Sequence, residues 1–235
     1  MPMPGANEAA ALLSGALDAE GFSVSVSCDF EEFAQVRARI RPGPVSGAFD
    51  PEVTAQLDDA FWLGVVDAAG AVVGLQAMKR LGTVEPDLRA HIIAALEDYV
   101  PPGAGVDLAE SRVSAGTAAN LSGRLAYHGE GYMVPRRRGV GVARPFIRLG
   151  IVEACARWDL DGVVGILVPA TDNPSFARVV GYRGYEADAF EWRTAAGDLV
   201  CREGLVWSGR TALRELVVAP LIEALPAELG RAVQE

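Results

Sequence analysis

The chain has 235 residues, half of them apolar, and a formal net charge of −10 at pH 7. This composition is that of a globular protein, and the length allows one elaborated domain. The negative charge disfavours broad nucleic-acid binding and adhesion to an anionic membrane, because both need a basic face. A cationic or amine-bearing substrate would suit it.

The three cysteines, Cys28, Cys155 and Cys201, lie far apart and in apolar contexts. An odd number at such spacing predicts neither a disulfide framework nor a metal site, so no metal is expected. No uninterrupted apolar run approaches the ~20 residues that cross a bilayer, and no basic residue precedes the N-terminal apolar run as in a secretory signal. We therefore expect a reduced, cytoplasmic protein.

The first 81 residues predict five regular elements. They are a helix over 7–19, a strand over 22–27, a helix that begins after Asp29, and two strands over 61–67 and 71–81. The first strand is predicted from the alternation of its apolar residues, and aspartate is a favoured helix N-cap. A short turn containing Gly70 separates the two later strands, which indicates a hairpin.

The rest of the chain predicts a longer series of elements. Residues 86–99 predict a helix, and residues 101–120 an exposed excursion rich in Gly, Ala, Pro and Ser. Gly129 and Gly131 indicate a bulge or a close backbone approach in the next strand. The remaining elements are a strand over 123–134, a helix over 143–158, a buried strand over 162–168, a helix over 174–180, strands over 185–194 and 199–208, and a helix over 211–225.

Four arginines surround two glycines between the strand over 123–134 and the first turn of the helix that follows. The arginines are Arg136, Arg137, Arg138 and Arg144. A strand, a glycine turn and a helix N-terminus together form an anion site, to which arginines add bidentate contacts. This arrangement predicts capture of a pyrophosphate or nucleotide phosphate. The alternative is a solvated basic turn whose glycines serve backbone geometry alone.

Two well-known phosphate motifs fit this stretch poorly. A P-loop requires Gly-Lys-[Ser/Thr], and no lysine is near. A dinucleotide-binding fingerprint requires a third glycine where Arg144 stands, and an acid at the end of the next strand. Asp161 lies at about the right distance along the chain but precedes that strand.

The stretch VPRRRGVGVA resembles the acyl-CoA site of the GNAT N-acetyltransferase superfamily. That pattern is Pro-x-x-[Arg/Gln]-Gly-x-Gly-x-[Gly/Ala], filled here by Pro135, Arg138, Gly139, Gly141 and Ala143. A second segment, NPSFARVVGYRGYE, is similar to the superfamily's Asn-Pro segment that ends in Gly-[Phe/Tyr]. The specific motifs span residues 133–185, and the order of elements matches in outline over residues 22–208.

The resemblance implies an α/β fold of GNAT type. This fold is a mixed, twisted, mostly antiparallel sheet with one central parallel pair and helices on both faces. We expect residues 1–21 to form an N-terminal helical extension. Residues 22–208 would be the acyltransferase domain, with an insertion over 81–122, and residues 209–235 a C-terminal helix.

The resemblance also implies a reaction and a donor site. An acyl group, expected to be acetyl, would move from acetyl-CoA to the amine of a small molecule by direct attack. Backbone amides from Arg138 to Arg144 would hold the CoA pyrophosphate. Main-chain groups at the strand end would pair with the pantetheine arm and polarise the thioester carbonyl. The residues expected to bind CoA are Met133, Val134, Arg138, Gly139, Val140, Gly141, Val142, Ala143, Arg144 and Asn173.

The catalytic groups are less clearly marked. Val180 stands where many members have a tyrosine that protonates the leaving thiolate, and Tyr182 is the candidate substitute. His128 and Glu130 share one face of the strand that leads to the thioester, and either would serve as base. The absence of the usual tyrosine favours an alternative, a catalytically inactive CoA-binding sensor or regulatory module. A non-enzymatic partner protein that binds another phosphate ligand is a third reading.

The insertion over 81–122 departs from the superfamily, which usually joins these strands by a short turn. Long insertions in compact domains tend to be lids, binding loops or interfaces. We hypothesise that this one shapes the acceptor pocket, with Asp98, Asp107 or Glu110 available to attract an amine. The alternatives are a contact in a homodimer and an addition with no role in the site.

Overall fold

The computed structural model describes residues 1–54, 57–101, 103–138 and 141–224. Within these ranges the helices are α1 (Ala6–Ala19), α2 (Phe30–Ile40), α3 (Leu88–Ala94), α4 (Ala143–Arg157), α5 (Pro174–Val180) and α6 (Arg210–Glu223). The strands are β1 (Phe22–Ser27), β2 (Ala60–Asp67), β3 (Val72–Val84), β4 (Asp107–Val113), β5 (Gly123–Met133), β6 (Gly162–Leu167), β7 (Gly184–Arg193) and β8 (Leu199–Gly209). None of the described helices has the length and apolar character needed to span a membrane.

The described strands form one sheet in the order β1-β2-β3-β5-β6-β8-β7-β4. Neighbouring strands are antiparallel except β5 and β6, whose parallel register pairs Leu125 with Gly162 and His128 with Gly165. Helices pack on both faces of the sheet. The predicted α/β class, a mixed and mostly antiparallel sheet with one central parallel pair, is confirmed.

Two apolar cores lie on opposite faces of this sheet. The face that packs against α1, α4 and α6 is called the α4 face, and the face covered by α2 and α3 is the α2 face. Side chains alternate between them, as strand geometry requires. On β2, for example, Phe61 and Leu63 point to the α4 face and Trp62 to the α2 face.

Local signals in the sequence mark the ends of several helices, including the expected N-cap at Asp29. The Asp29 carboxylate accepts a hydrogen bond from Glu32 N at 2.9 Å and caps α2. Asn173 caps α5 in the same way, accepting from Phe176 N at 2.7 Å. Helix α5 ends at Gly181, whose φ of +114° is a conformation that side chains disfavour.

The insertion differs from its prediction in one element. The helix expected over 86–99 is present as α3 and a 3-10 turn, Leu96–Tyr99. The excursion expected over 101–120 instead contains β4, which pairs with β7 at the edge of the sheet. Val113 is the single fully buried residue of that strand, so its sequence carries little apolar alternation by which to recognise it.

Asp161 belongs to an ion-pair cluster at the start of β6. Its carboxylate contacts Arg124 Nε at 3.1 Å and Arg210 Nη1 at 2.6 Å. Hydrogen bonds from Arg124, which come from both its side chain and its backbone, keep the pKa of this carboxyl well below its usual range. The cluster lies at the start of β6, and the glycine turn lies at the other end of the sheet. Asp161 is therefore not placed to bind a ribose as the acid of a dinucleotide-binding fingerprint would.

Candidate active site

A cleft of about 600 Å³ opens where β5 and β6 part. Their parallel pairing ends at His128 and Gly165. Beyond that point β5 stays paired with β3, and β6 stays paired with β8. The cleft runs from the first turn of α4, at Ala143 and Phe146, to Tyr99 on the α2 face.

A β-bulge in β5 helps to open this gap. The register of β5 against β3 shifts between the pairs Tyr132–Leu75 and Gly129–Ala77, which places one extra residue in β5. Glu130 sits in the bulge with a φ of +53°. The bulge indicated by the glycines of this strand is therefore present, and it turns the strand away from its partner.

The bulge directs Glu130 into an ion pair. Its Oε2 accepts from Arg37 Nε at 2.8 Å and from Arg41 Nη1 at 3.2 Å, and its Oε1 accepts from Ser46 N at 2.8 Å. The side chains of Glu130 and Arg37 are only 3% and 2% exposed. Because both oxygens are occupied by charged or main-chain donors, this geometry does not favour the base role expected for Glu130.

His128 and Tyr182, the other two expected catalytic residues, are in contact. His128 Nδ1 lies 2.7 Å from the Tyr182 hydroxyl, and both side chains are buried. Burial lowers the pKa of His128 to about 4 and raises that of Tyr182 above its usual range. At neutral pH the histidine is therefore uncharged and the phenol keeps its proton.

Gly165 makes room for this pair at the vertex of the cleft. A Cβ at this position would lie 2.9 Å from the Tyr182 hydroxyl and 3.0 Å from the His128 carbonyl oxygen. Such distances are shorter than ordinary van der Waals contact allows. A glycine at position 165 therefore allows the Tyr182 hydroxyl and the His128 main chain to lie this close to β6.

Met133 presents its main chain to the cleft. Val134 N–H donates to Val73 O at 2.8 Å, so Val134 pairs with β3. Because main-chain groups alternate in direction along an antiparallel pair, those of Met133 point away from β3 and into the gap. The Met133 carbonyl accepts from Arg138 Nε at 3.0 Å. Main-chain contacts with the pantetheine arm were expected from Met133 and Val134. The main chain of Met133 is oriented for such a contact, whereas the Val134 N–H already donates to Val73.

The arginines after β5 divide into anchored and exposed side chains. Arg137 Nη2 donates to Asp67 Oδ2 at 2.9 Å, which anchors the turn to β2. Arg138 lies over the ring of Tyr132, 5.5 Å from its centroid. Arg136, Arg138 and Arg144 are all exposed, whereas Arg137 is half-buried.

The turn leads directly into the N-terminus of α4. Gly139 and Val140, expected to bind CoA, lie outside the described residues. Gly141 has a φ of +78°, and Val142 contributes no capping side chain to α4. The amides of Ala143 and Arg144 stand in the first turn, where a helix offers no internal acceptor.

Asn173 caps α5 rather than lining the cleft. Its side chain is exposed and bonded to Phe176 N. From the same segment, Ala170, Thr171 and Phe176 line the cleft. The expected contact of Asn173 with the pantetheine arm stays a prediction.

Glu203 is a cleft carboxyl that the sequence reading did not single out. It lies on β8, only 5% exposed, and its Oε2 accepts from Trp192 Nε1 at 2.8 Å. Burial raises the pKa of Glu203 to about 7, although the Trp192 hydrogen bond opposes the shift. The sequence contains a signal for this position. Glu203 is two residues from Leu205 on the same strand, so strand alternation places its side chain on the buried face to which Leu205 belongs.

The insertion supplies one wall of the cleft. Tyr99, Val100 and Pro101 line it beside Tyr127, whose ring meets that of Tyr99 edge-on at 5.0 Å. The acids proposed to attract an amine lie elsewhere. Asp98 pairs with Lys79 at 3.5 Å, and Asp107 and Glu110 stand on β4 at the edge of the sheet.

No sequence-family profile and no curated protein matches the chain. Among solved structures, the chain is similar to NAA60 of Arabidopsis thaliana in complex with acetyl-CoA, with 16% identity, 80% of this chain and 99% of that chain covered, and a TM-score of 0.46. It is also similar to a mutant of the spermidine N-acetyltransferase SpeG from Vibrio cholerae, with 11% identity, coverage of 83% and 96%, and a TM-score of 0.45.

Proposed function

We propose that this protein is an acyl-CoA-dependent N-acyltransferase that moves an acetyl group from acetyl-CoA to the amine of a small molecule. One observation carries the proposal. A single cleft begins at the first turn of α4, passes the His128–Tyr182 pair where the two central strands part, and continues to the opposite face of the sheet. Donor and acceptor would meet at that gap from opposite faces.

The donor side has the groups that acetyl-CoA requires. The amides at the start of α4 and the exposed Arg136 and Arg144 side chains suit a pyrophosphate. The main chain of Met133 faces the gap, where it would hold the pantetheine arm. Acetyl-CoA, when bound, supplies the acyl group as a thioester. Gly139 and Val140, which lie outside the described residues, are also proposed to contact the phosphates.

Tyr182 is the proposed acid for the leaving thiolate. Its hydroxyl keeps its proton at neutral pH and stands at the vertex of the cleft against His128. This position compensates for Val180, which is buried and lines the cleft without a polar group. The presence of this hydroxyl supports transfer over the inactive sensor reading.

Binding is tested by thermal-shift titration with acetyl-CoA, CoA and ADP. At about 100 times its Kd a ligand adds roughly 2.7 kcal/mol, which raises the midpoint by about 5–10 °C in a chain of this size. We expect acetyl-CoA and CoA to give larger shifts than ADP, because the pantetheine arm adds contacts. The R138A variant should shift less, and R112A, an exposed arginine on β4, should match the wild type. No shift with any of the three would contradict the proposal.

A further inference from the structure

We propose that Glu203 is the general base of this site and that the acceptor is a primary monoamine with an apolar or aromatic body, which enters from the α2 face. This inference rests on the proposed acyl transfer. It assigns a base and a class of acceptor, neither of which the motifs of the sequence specify.

Glu203 and the His128–Tyr182 pair belong to opposite faces of the sheet. Ala126 of β5 and Val206 of β8 pack in the core of the α4 face, together with Tyr182. Leu205 packs in the core of the α2 face, and strand alternation places Glu203 on that same face. An amine activated by Glu203 would therefore approach from the side opposite the proposed acid.

Glu203 is also the better-placed carboxylate of the two in the cleft. Glu130 is neutralised by Arg37 and Arg41 and bonded on both oxygens. Glu203 is held through Oε2 by the neutral indole N–H of Trp192. Its Oε1 has no donor among the residues that the structure describes, so this oxygen is free to accept a proton. A neutral donor fixes the carboxylate without satisfying its charge.

The groups around Glu203 set its proton affinity. Asp172 raises its pKa, and Arg41 lowers it. The charge of Glu203 contributes to the raised pKa of the Tyr127 phenol and to that of the Cys201 thiol, which lies on the same strand. Burial dominates, so the carboxyl titrates at about pH 7. A base that titrates near the working pH is the kind that transfers protons efficiently.

In the proposed transfer the acceptor nitrogen loses two protons, of which one reaches solvent and the other ends on the thiol. The acceptor enters as an ammonium, and Glu203 Oε1 takes one of its protons to leave a neutral amine. The amine nitrogen forms a bond to the carbonyl carbon of the thioester, and the carbon–sulfur bond breaks. The thiolate takes the Tyr182 proton, and the second proton lost from nitrogen restores the phenol. Glu203 then returns its proton to solvent after the amide leaves.

The walls beside Glu203 point to the class of amine. Tyr99, Val100, Pro101 and Tyr127 form an aromatic and apolar lining on this side. One free carboxylate suits one ammonium group, and the rings suit a hydrocarbon body. A polyamine would bring further charges to a wall that offers apolar side chains and the Arg41 cation.

The test measures thiol release from acetyl-CoA with three acceptors: 2-phenylethylamine, spermidine and a short peptide with a free N-terminus. We expect the fastest release with 2-phenylethylamine, and kcat/KM should fall as pH drops below about 7. E203Q should lose about 10²-fold or more in kcat and lose that inflection, while its thermal shift with acetyl-CoA is retained. E110Q, an exposed carboxyl on β4, should behave as the wild type.

W192F is the second variant, in which a phenyl ring replaces the indole that stacks on Phe190. Without the indole donor, the pKa of Glu203 rises, so the inflection should move to higher pH. An E203Q enzyme with wild-type rate and pH profile would overturn the base assignment alone. Faster transfer to spermidine or the peptide would overturn the substrate class alone. Failure of the wild type to bind acetyl-CoA would instead overturn the proposed function.

Discussion

His128 Nδ1 lies 2.7 Å from the Tyr182 hydroxyl, and this contact closes the vertex of the gap between β5 and β6. The two residues are 54 positions apart in the chain. Their contact joins the strand that leads to the gap with the segment that follows α5. Under the proposed function, this hydroxyl would protonate the leaving thiolate.

Replacing Tyr182 by phenylalanine should slow transfer without weakening donor binding. We expect kcat to fall about 10²-fold, the lower end of what a positioned acid contributes, because a thiol of pKa near 8 to 9 leaves with modest help. Steady-state thiol release measures the rate, and the thermal shift with acetyl-CoA measures binding. If kcat of Y182F stayed within about twofold of the wild-type value, another group would have to protonate the leaving thiolate.

Replacing Gly165 by alanine should disturb the same vertex by steric contact. The new methyl group would meet the Tyr182 hydroxyl at 2.9 Å and the His128 carbonyl at 3.0 Å. Overpacking of this kind costs about 1–3 kcal/mol of unfolding free energy, which urea denaturation measures. We also expect kcat to fall. If G165A had the stability and kcat of the wild type, the close packing of Gly165 against His128 and Tyr182 would not be required for folding or transfer.

Replacing Glu130 by glutamine separates a structural role of this residue from a catalytic one. Replacing it by glutamine leaves Arg37, which is 2% exposed, without its buried counter-charge. Such a loss costs about 3–5 kcal/mol, so E130Q should show a clear drop in urea midpoint relative to E110Q. A normally stable E130Q with strongly reduced kcat would restore this residue as the base.

His128 should make the stability of the protein depend on pH. Its pKa is lowered to about 4 by burial, so it contributes stability that is present above its ordinary value of 6.5 and is lost as pH falls towards 4. The stability difference between wild type and H128Q should shrink by about 2 kcal/mol between pH 7 and pH 5. Comparing the two proteins cancels the opposite contribution of Glu203, whose raised pKa favours the folded state at low pH. A constant difference would contradict the burial of a neutral His128.

Local signals predicted most strands of the sheet and the ends of two helices. Asp29 and Asn173 cap helices as their types suggest, and the glycines of β5 indicated the bulge. These features depend on a few neighbouring residues, so one sequence contains them. The continuously apolar run over 162–168 likewise marked the buried strand β6.

Contacts between distant residues explain what the sequence reading missed. Arg37 and Glu130 are 93 positions apart, so the periodicity of β5 alone could not show that this acid has a buried partner. Trp192 and Glu203 meet because β7 and β8 pair, which brings the indole against the carboxylate. β4 was missed because an edge strand with one fully buried residue carries little apolar pattern.

The most direct test of acyl transfer is the product itself. The purified protein would be incubated with acetyl-CoA and 2-phenylethylamine, and the amine analysed by mass spectrometry while free thiol is counted. We predict one N-acetylated amine for each thiol released, with both signals greatly reduced for Y182F and E203Q. Binding of acetyl-CoA without any acetylated product across primary amines and peptides would contradict transfer and favour the sensor role.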